Sequence, residues 1–260
     1  DYEYDAFGRI TEILGPAHTA DIGGTPTNVR TAVWTFYNDA AHETRSAQGY
    51  ALAESPYTET IVGPVSITKT DRDGRTTEQI QATYTGDLED LAAATINQSD
   101  YTAWNTSQYA NTRLASSRVY HDIPSSGTGQ AGTNYYQTTY GYETFGTAKK
   151  GRLNKTVAPD GTITRVVYDA RGNVLETWIG TNDTGATDTD PTGGSAQGND
   201  MTLFSASEFD ADGNMVSSTD ALSRTTEYAY DWRWRLVELT EPDPDGEGQL
   251  ASSVTGYAYD

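Results

Sequence analysis

The stretch VVYDARGNVLETW, residues 166–178, holds a short kink between two runs of alternating residues. The kink recurs in YEYDAFGRITEI at the start of the chain, in SEFDADGNMVSS after residue 205, and in AYDWRWRLVEL soon after. Each copy has an aromatic residue, an Asp, two free positions, a Gly (Trp234 in the last copy) and then Arg or Asn. A kink repeated in this way leaves few folds open.

Before the kink, Thr162, Thr164, Val166 and Tyr168 share one face, and Ile163, Arg165 and Val167 share the other. After it, Val174, Glu176 and Trp178 alternate with Leu175, Thr177 and Ile179. A period of two on both sides predicts strands joined by a hairpin. In a type I turn, Asp is favoured first because its carboxylate accepts backbone N–H groups, and Gly is favoured fourth. A bulged hairpin needs positive φ at that fourth place, where Gly is unstrained. Asp169 to Gly172, Asp5 to Gly8 and Asp210 to Gly213 fill these places. In YDWRWRL, Trp234 stands where the glycine is expected, which argues against a positive-φ tip there.

A second tip alternates with the first. VAPDGTITR puts Pro159 and Gly161 in a turn, and TDALSRTTEYAYD and KTDRDGRTTEQI repeat the layout. A period of roughly 20–50 residues is the mark of stacked units that bury a core only against their neighbours. The expected fold is therefore all-β, built of antiparallel β-hairpin repeats. The candidate repeat-forming residues are Tyr4, Asp5, Gly8 and Arg9; Asp160 and Gly161; Tyr168, Asp169, Gly172 and Asn173; Phe209, Asp210, Gly213 and Asn214; Tyr230 and Asp231; Tyr259 and Asp260. Asp caps N–H groups, Gly supplies positive φ, and the aromatic residue packs across strands.

YDARGNVLETW, PDGTITRVVYD and DALSRTTEYAYD resemble the YD repeats of the RHS (rearrangement hotspot) family, which extends to teneurins and to the cocoon subunits of insecticidal toxin complexes. The resemblance is closest at residues 2–14 and 151–240 and weaker at 31–85. It implies a long curved sheet that winds into a shell, commonly around a C-terminal toxin domain, in a secreted or cell-surface protein. The chain then reads as one continuous segment of a larger protein. Residues 1–85 are divergent repeats, 86–150 an irregular insert with strands, and 151–260 the clearest repeats. The implied partners are other YD repeats of the parent chain and an enclosed effector domain. The family's plug and self-cleaving carboxylates belong to a C-terminal region with no counterpart here.

The charge excludes some partners. With 17 Lys and Arg against 37 Asp and Glu, the net charge is −20, which repels nucleic-acid phosphates and anionic headgroups. No apolar run approaches the ~20 residues that span a bilayer, so neither nucleic acid nor membrane insertion is expected. The chain has no Cys, and disulfides and thiolate metal sites are excluded with it.

Other motifs weigh less. GTGQAG, residues 127–132, matches a dinucleotide fingerprint in letters but lies between a loop and a strand, without the helix that pyrophosphate binding needs. His18, His42 and His121 lack metal-ligand spacing. No catalytic, cofactor or metal residue is assigned, and no enzyme signature is present. The acidic loops at 181–194 and 241–248 depart from the Ca²⁺-loop pattern. GDLEDLAAATI, residues 86–96, has helix-like composition. The alternative to a scaffold is a binding module that uses exposed Tyr and Trp to hold glycans.

Overall fold

The computed structural model describes residues 1–53, 58–144, 151–246, 248 and 250–260. It is all-β, with eighteen strands among the described residues. In chain order these are β1 (Tyr2–Tyr4), β2 (Ile10–Ile22), β3 (Thr25–Asn38), β4 (Glu43–Leu52), β5 (Glu59–Ile61), β6 (Val65–Thr70), β7 (Thr76–Ala82), β8 (Tyr101–Ala110) and β9 (Arg113–Tyr120). There follow β10 (Tyr135–Tyr142), β11 (Leu153–Val157), β12 (Ile163–Tyr168), β13 (Val174–Gly180), β14 (Thr202–Phe209), β15 (Met215–Asp220), β16 (Thr225–Tyr230), β17 (Leu236–Thr240) and β18 (Val254–Gly256). Two compact units, Asp1–Gln137 and Thr138–Asp260, divide the chain.

In the first unit, strands pair antiparallel with their sequence neighbours, and β4 pairs with both β5 and β6. Alternation fixes which face is buried. Ala32 and Trp34 of β3, Ala47 of β4, Ile67 of β6, Ile80 of β7 and Trp104 of β8 form one apolar row, aligned by the registers Trp34↔Ala47, Ile67↔Ile80 and Ile80↔Trp104. Stacking of Trp104 on Tyr120, with centroids 4.1 Å apart, extends the row. The connections after β7 and β9 fold over this face, and Leu91 is fully buried there. The helix-like composition at 86–96 yields only a single 3₁₀ turn, Leu88–Asp90. Its role is to press Leu91 onto the sheet. Within residues 86–150, β8 and β9 form an antiparallel hairpin whose register shifts between Gln108 and Tyr109.

The second unit is a simple meander in which β11 to β18 each pair antiparallel with the next strand. Few side chains are fully buried here. Ile163 and Val167 mark the inner face of β12, with Met201 beside them. Most other strand residues are half-exposed, so hydrogen bonding and tip chemistry carry a larger share of order than in the first unit. In the acidic insert, Asp183 bridges Lys155 and Arg165 at 2.7 Å each. Asp200 accepts the N–H groups of Thr181 and Asn182. Those carboxylates hold the loop to itself and to the sheet. Of the loop at 241–248, Glu247 lies outside the described residues.

Candidate functional site

One constellation repeats at the hairpin tips. At Asp5, Oδ1 accepts the N–H groups of Phe7 and Arg9, both at 2.9 Å, while Oδ2 accepts Arg9 Nε at 2.7 Å. Asp71 does the same with Asp73 and Arg75, Asp220 with Leu222 and Arg224, and Asp231 with Arg233 and Arg235. At Asp169 and Asp210 the fifth residue is Asn, and Asn173 and Asn214 donate Nδ2 at 2.8 and 2.9 Å. The carboxylate thus ties both the backbone and the side chain of the fifth residue to the first. This clasp is charge-assisted wherever that residue is Arg.

The backbone beneath the clasp is a bulged hairpin. The first residue's N–H bonds the fifth residue's carbonyl, as in Asp169 to Asn173 at 3.0 Å, and the fourth residue's N–H returns to the first carbonyl. Positive φ falls on the fourth residue: Gly8, Gly74, Gly172 and Gly213 at 77°, 78°, 109° and 92°. Trp234 keeps the same geometry at φ 61°, as does Ser223 at 62°. The expectation that Trp234 would lose the positive-φ tip is therefore wrong. The clasp from Asp231 holds the backbone there and bears the strain of a side chain in the left-handed region. Asp160 plays a different part. In its tip Ala158 is first and Gly161 fourth, and the Asp160 carboxylate accepts Thr162 N–H.

Each clasped carboxyl is held below the ordinary value of 3.8. At Asp71, Asp210 and Asp220 the largest cause is the hydrogen bond from the fifth side chain. At Asp231 it is the bond from Arg235 N–H. At Asp5 and Asp169 burial pushes upward, and the summed hydrogen bonds outweigh it.

A further copy is hidden by an insertion. Glu143 takes the place of the Asp: Oε2 accepts Arg152 N and Nε at 3.1 and 2.8 Å, and Oε1 accepts Nη2 at 2.8 Å. Glu143 N bonds Arg152 O, and Gly151 stands before Arg152 at φ 63°.

The aromatic residue of one tip then closes over the arginine of another. Tyr37 lies 4.0 Å from the Arg9 guanidinium and donates its hydroxyl to Ile10 O. Tyr109 covers Arg75 at 4.7 Å and bonds Thr76 O. Tyr168 covers Arg152 at 4.4 Å and bonds Leu153 O. Tyr259 covers Arg235 at 4.6 Å and bonds Leu236 O. In all four, the ring sits on the clasped guanidinium and the hydroxyl reaches the carbonyl of the residue that follows it. The clamps of Tyr37, Tyr109 and Tyr168 each join two hairpin tips, and that of Tyr259 joins the segment after β18 to the Asp231 tip, through a cation–π contact and one hydrogen bond. Of the four tyrosines the sequence pointed to Tyr168 and Tyr259, as cross-strand packing residues, and gave no sign of the clamp. Tyr4 stands 58% exposed, and Asp260 is the last residue, with no turn after it in this chain.

The three histidines lie apart, His18 on β2, His42 at the β3–β4 tip and His121 after β9. Among the described residues no three His, Cys, Asp or Glu side chains converge as a metal site. GTGQAG is a loop, fastened by Gln98 to Gly127 O and by the Tyr120 hydroxyl to Thr128 O.

Fold and site together define an all-β repeat protein whose recurring chemistry sits at its hairpin tips. Residues 209–247 match the family model described as RHS Repeat, so this part of the chain carries the RHS repeat that its motifs resemble. A search of curated proteins finds no match. Among solved structures, the chain is similar to TcdB2-TccC3 without its hypervariable C-terminal region, at 18% identity and a TM-score of 0.43. It is also similar to TcdB2-TccC3 itself, at 16% and 0.44, and to the Tc holotoxin pore of Photorhabdus luminescens, at 16% and 0.41. In each case the likeness covers 100% of this chain and 12% of the other, so this chain spans a small part of those proteins.

Proposed function

We propose that residues 1–260 are one run of repeats in the wall of a larger secreted or cell-surface RHS protein, and that this wall encloses a C-terminal effector domain. The tip clamp supports the reading most directly. A wall must resist opening between hairpins, and here four tips are each riveted to a neighbouring segment by the same arginine, tyrosine and carbonyl. The chemistry is repeated along the chain rather than gathered in one cleft. The match at residues 209–247 supports it independently. Its partners are then other repeats of the same chain and the enclosed domain. Protease treatment of the full-length protein tests it: a C-terminal domain protected until the wall is unfolded is expected, and a C-terminal domain digested as readily as a free one would sink the enclosure.

A further inference from the structure

The repeats differ in one place that matters. At four tips the fifth residue is an Arg whose guanidinium lies beneath a tyrosine, Arg9 under Tyr37, Arg75 under Tyr109, Arg152 under Tyr168 and Arg235 under Tyr259, while Arg224 stays exposed at its tip. Where it is Asn, the side chain is too short to do so. At Asn173 a neighbouring arginine still links the two tips, since Arg171 reaches across to the carbonyl of Ala211. At Asn214 no such arginine stands, because the residue matching Arg171 is Asp212. A cavity of about 460 Å³ opens there, lined by Asp210, Asp212, Asn214, Tyr230, Trp232 and Trp234 among others.

The lining suits one ligand chemistry. Tyr230 presents the ring that elsewhere covers a guanidinium. Asp210 and Asp212 give the cavity negative charge, and two indoles stand at its wall, with Trp232 and Trp234 80% and 66% exposed. Trp234 is held there at φ 61°, where the matching tips at 8, 74, 172 and 213 carry glycine and that at 223 the small Ser, and strain of that kind collects at ligand clamps. The Trp232 ring already accepts a guanidinium, that of Arg233 at 4.4 Å. The other nearby cation, Arg235, is taken by Asp231 and Tyr259.

From this we infer that the cavity beneath Tyr230 is a binding site for a guanidinium group, the arginine side chain of a partner polypeptide, seated where the other repeats place their own arginine. A planar guanidinium stacks flat on aromatic faces and offers a carboxylate a rigid fork of paired N–H donors, a geometry that a tetrahedral ammonium lacks. The inference stands whether or not the wall encloses a domain.

Titration of the chain with N-acetyl-arginine amide, followed through the indole N–H resonances of Trp232 and Trp234, tests it. The expected result is a saturable shift of both, with the lysine analogue about tenfold weaker. Asn214→Arg, which returns the chain's own guanidinium to the cavity, should abolish the shift. Trp234→Gly, which restores the residue type of the matching tips and so spares the fold, should weaken binding severalfold. An unsaturable response, equal binding of the lysine analogue, or undiminished binding by folded Asn214→Arg or Trp234→Gly would each overturn the assignment.

Discussion

Replacing Tyr168 by Phe removes one oxygen atom and isolates the hydrogen-bonding half of the clamp. The lost bond runs from the Tyr168 hydroxyl to Leu153 O at 2.8 Å, while the ring stays over Arg152 at 4.4 Å. A neutral hydrogen bond of this kind contributes about 0.5–1.5 kcal/mol net. Leu153 is 40% exposed, so water can reach the freed carbonyl, and the lower half of that range, about 0.5–1 kcal/mol, is expected. Tyr168→Ala removes the cation–π contact as well, worth a further ~0.5–1 kcal/mol at a partly exposed site. Urea denaturation followed by tryptophan fluorescence measures both, with Trp178 on the adjacent strand β13 as a local reporter. A double-mutant cycle between Tyr168→Ala and Arg152→Ala should return a coupling of about 0.5 kcal/mol or more. A Tyr168→Phe protein as stable as the parent, together with a coupling near zero, would refute the clamp as a stabilising device.

Gly172→Val should destabilise by about 1–3 kcal/mol, since φ is 109° there and a β-branched side chain is strained at positive φ; an unchanged urea midpoint would contradict the tip geometry. Glu143→Ala leaves the Arg152 guanidinium, among the described residues, with the Asp169 carbonyl and the Tyr168 ring, and should cost about 2 kcal/mol by the same assay; no loss would mean that Glu143 is not the clasp of that tip. The clasped Asp carboxyls have folded-state values below 3.8, so as pH falls the unfolded chain takes up protons first. Stability from the clasps is then complete above about pH 4 and is lost as pH falls through the folded values. Thermal melts should show a steep decline below about pH 4, and a flat profile there would contradict the carboxylate clasp.

What the sequence made legible is what acts locally. Asp169 and Gly172 lie within one turn, so their chemistry can be read from adjacent letters, and the alternation of Ile163, Arg165 and Val167 foretells the buried side of β12. The clamp is written at no fixed distance. The Tyr hydroxyl and its carbonyl are 27, 33, 15 and 23 residues apart in the four copies, because the intervening hairpins differ in length. Only the paired strands bring them together. The clasp at Glu143 and Arg152 was hidden for a related reason: an insertion parts two residues that are otherwise four positions apart, and Glu replaces Asp. At Trp234 the letter pointed the wrong way. A glycine preference is worth only a kilocalorie or two, less than the summed bonds that Asp231 makes across its turn.

The enclosing wall is tested most directly by small-angle X-ray scattering from the full-length protein. The account predicts the distance distribution of a hollow particle, with a second, weaker density where the enclosed domain lies. The distribution of a rod or of a compact solid would contradict it.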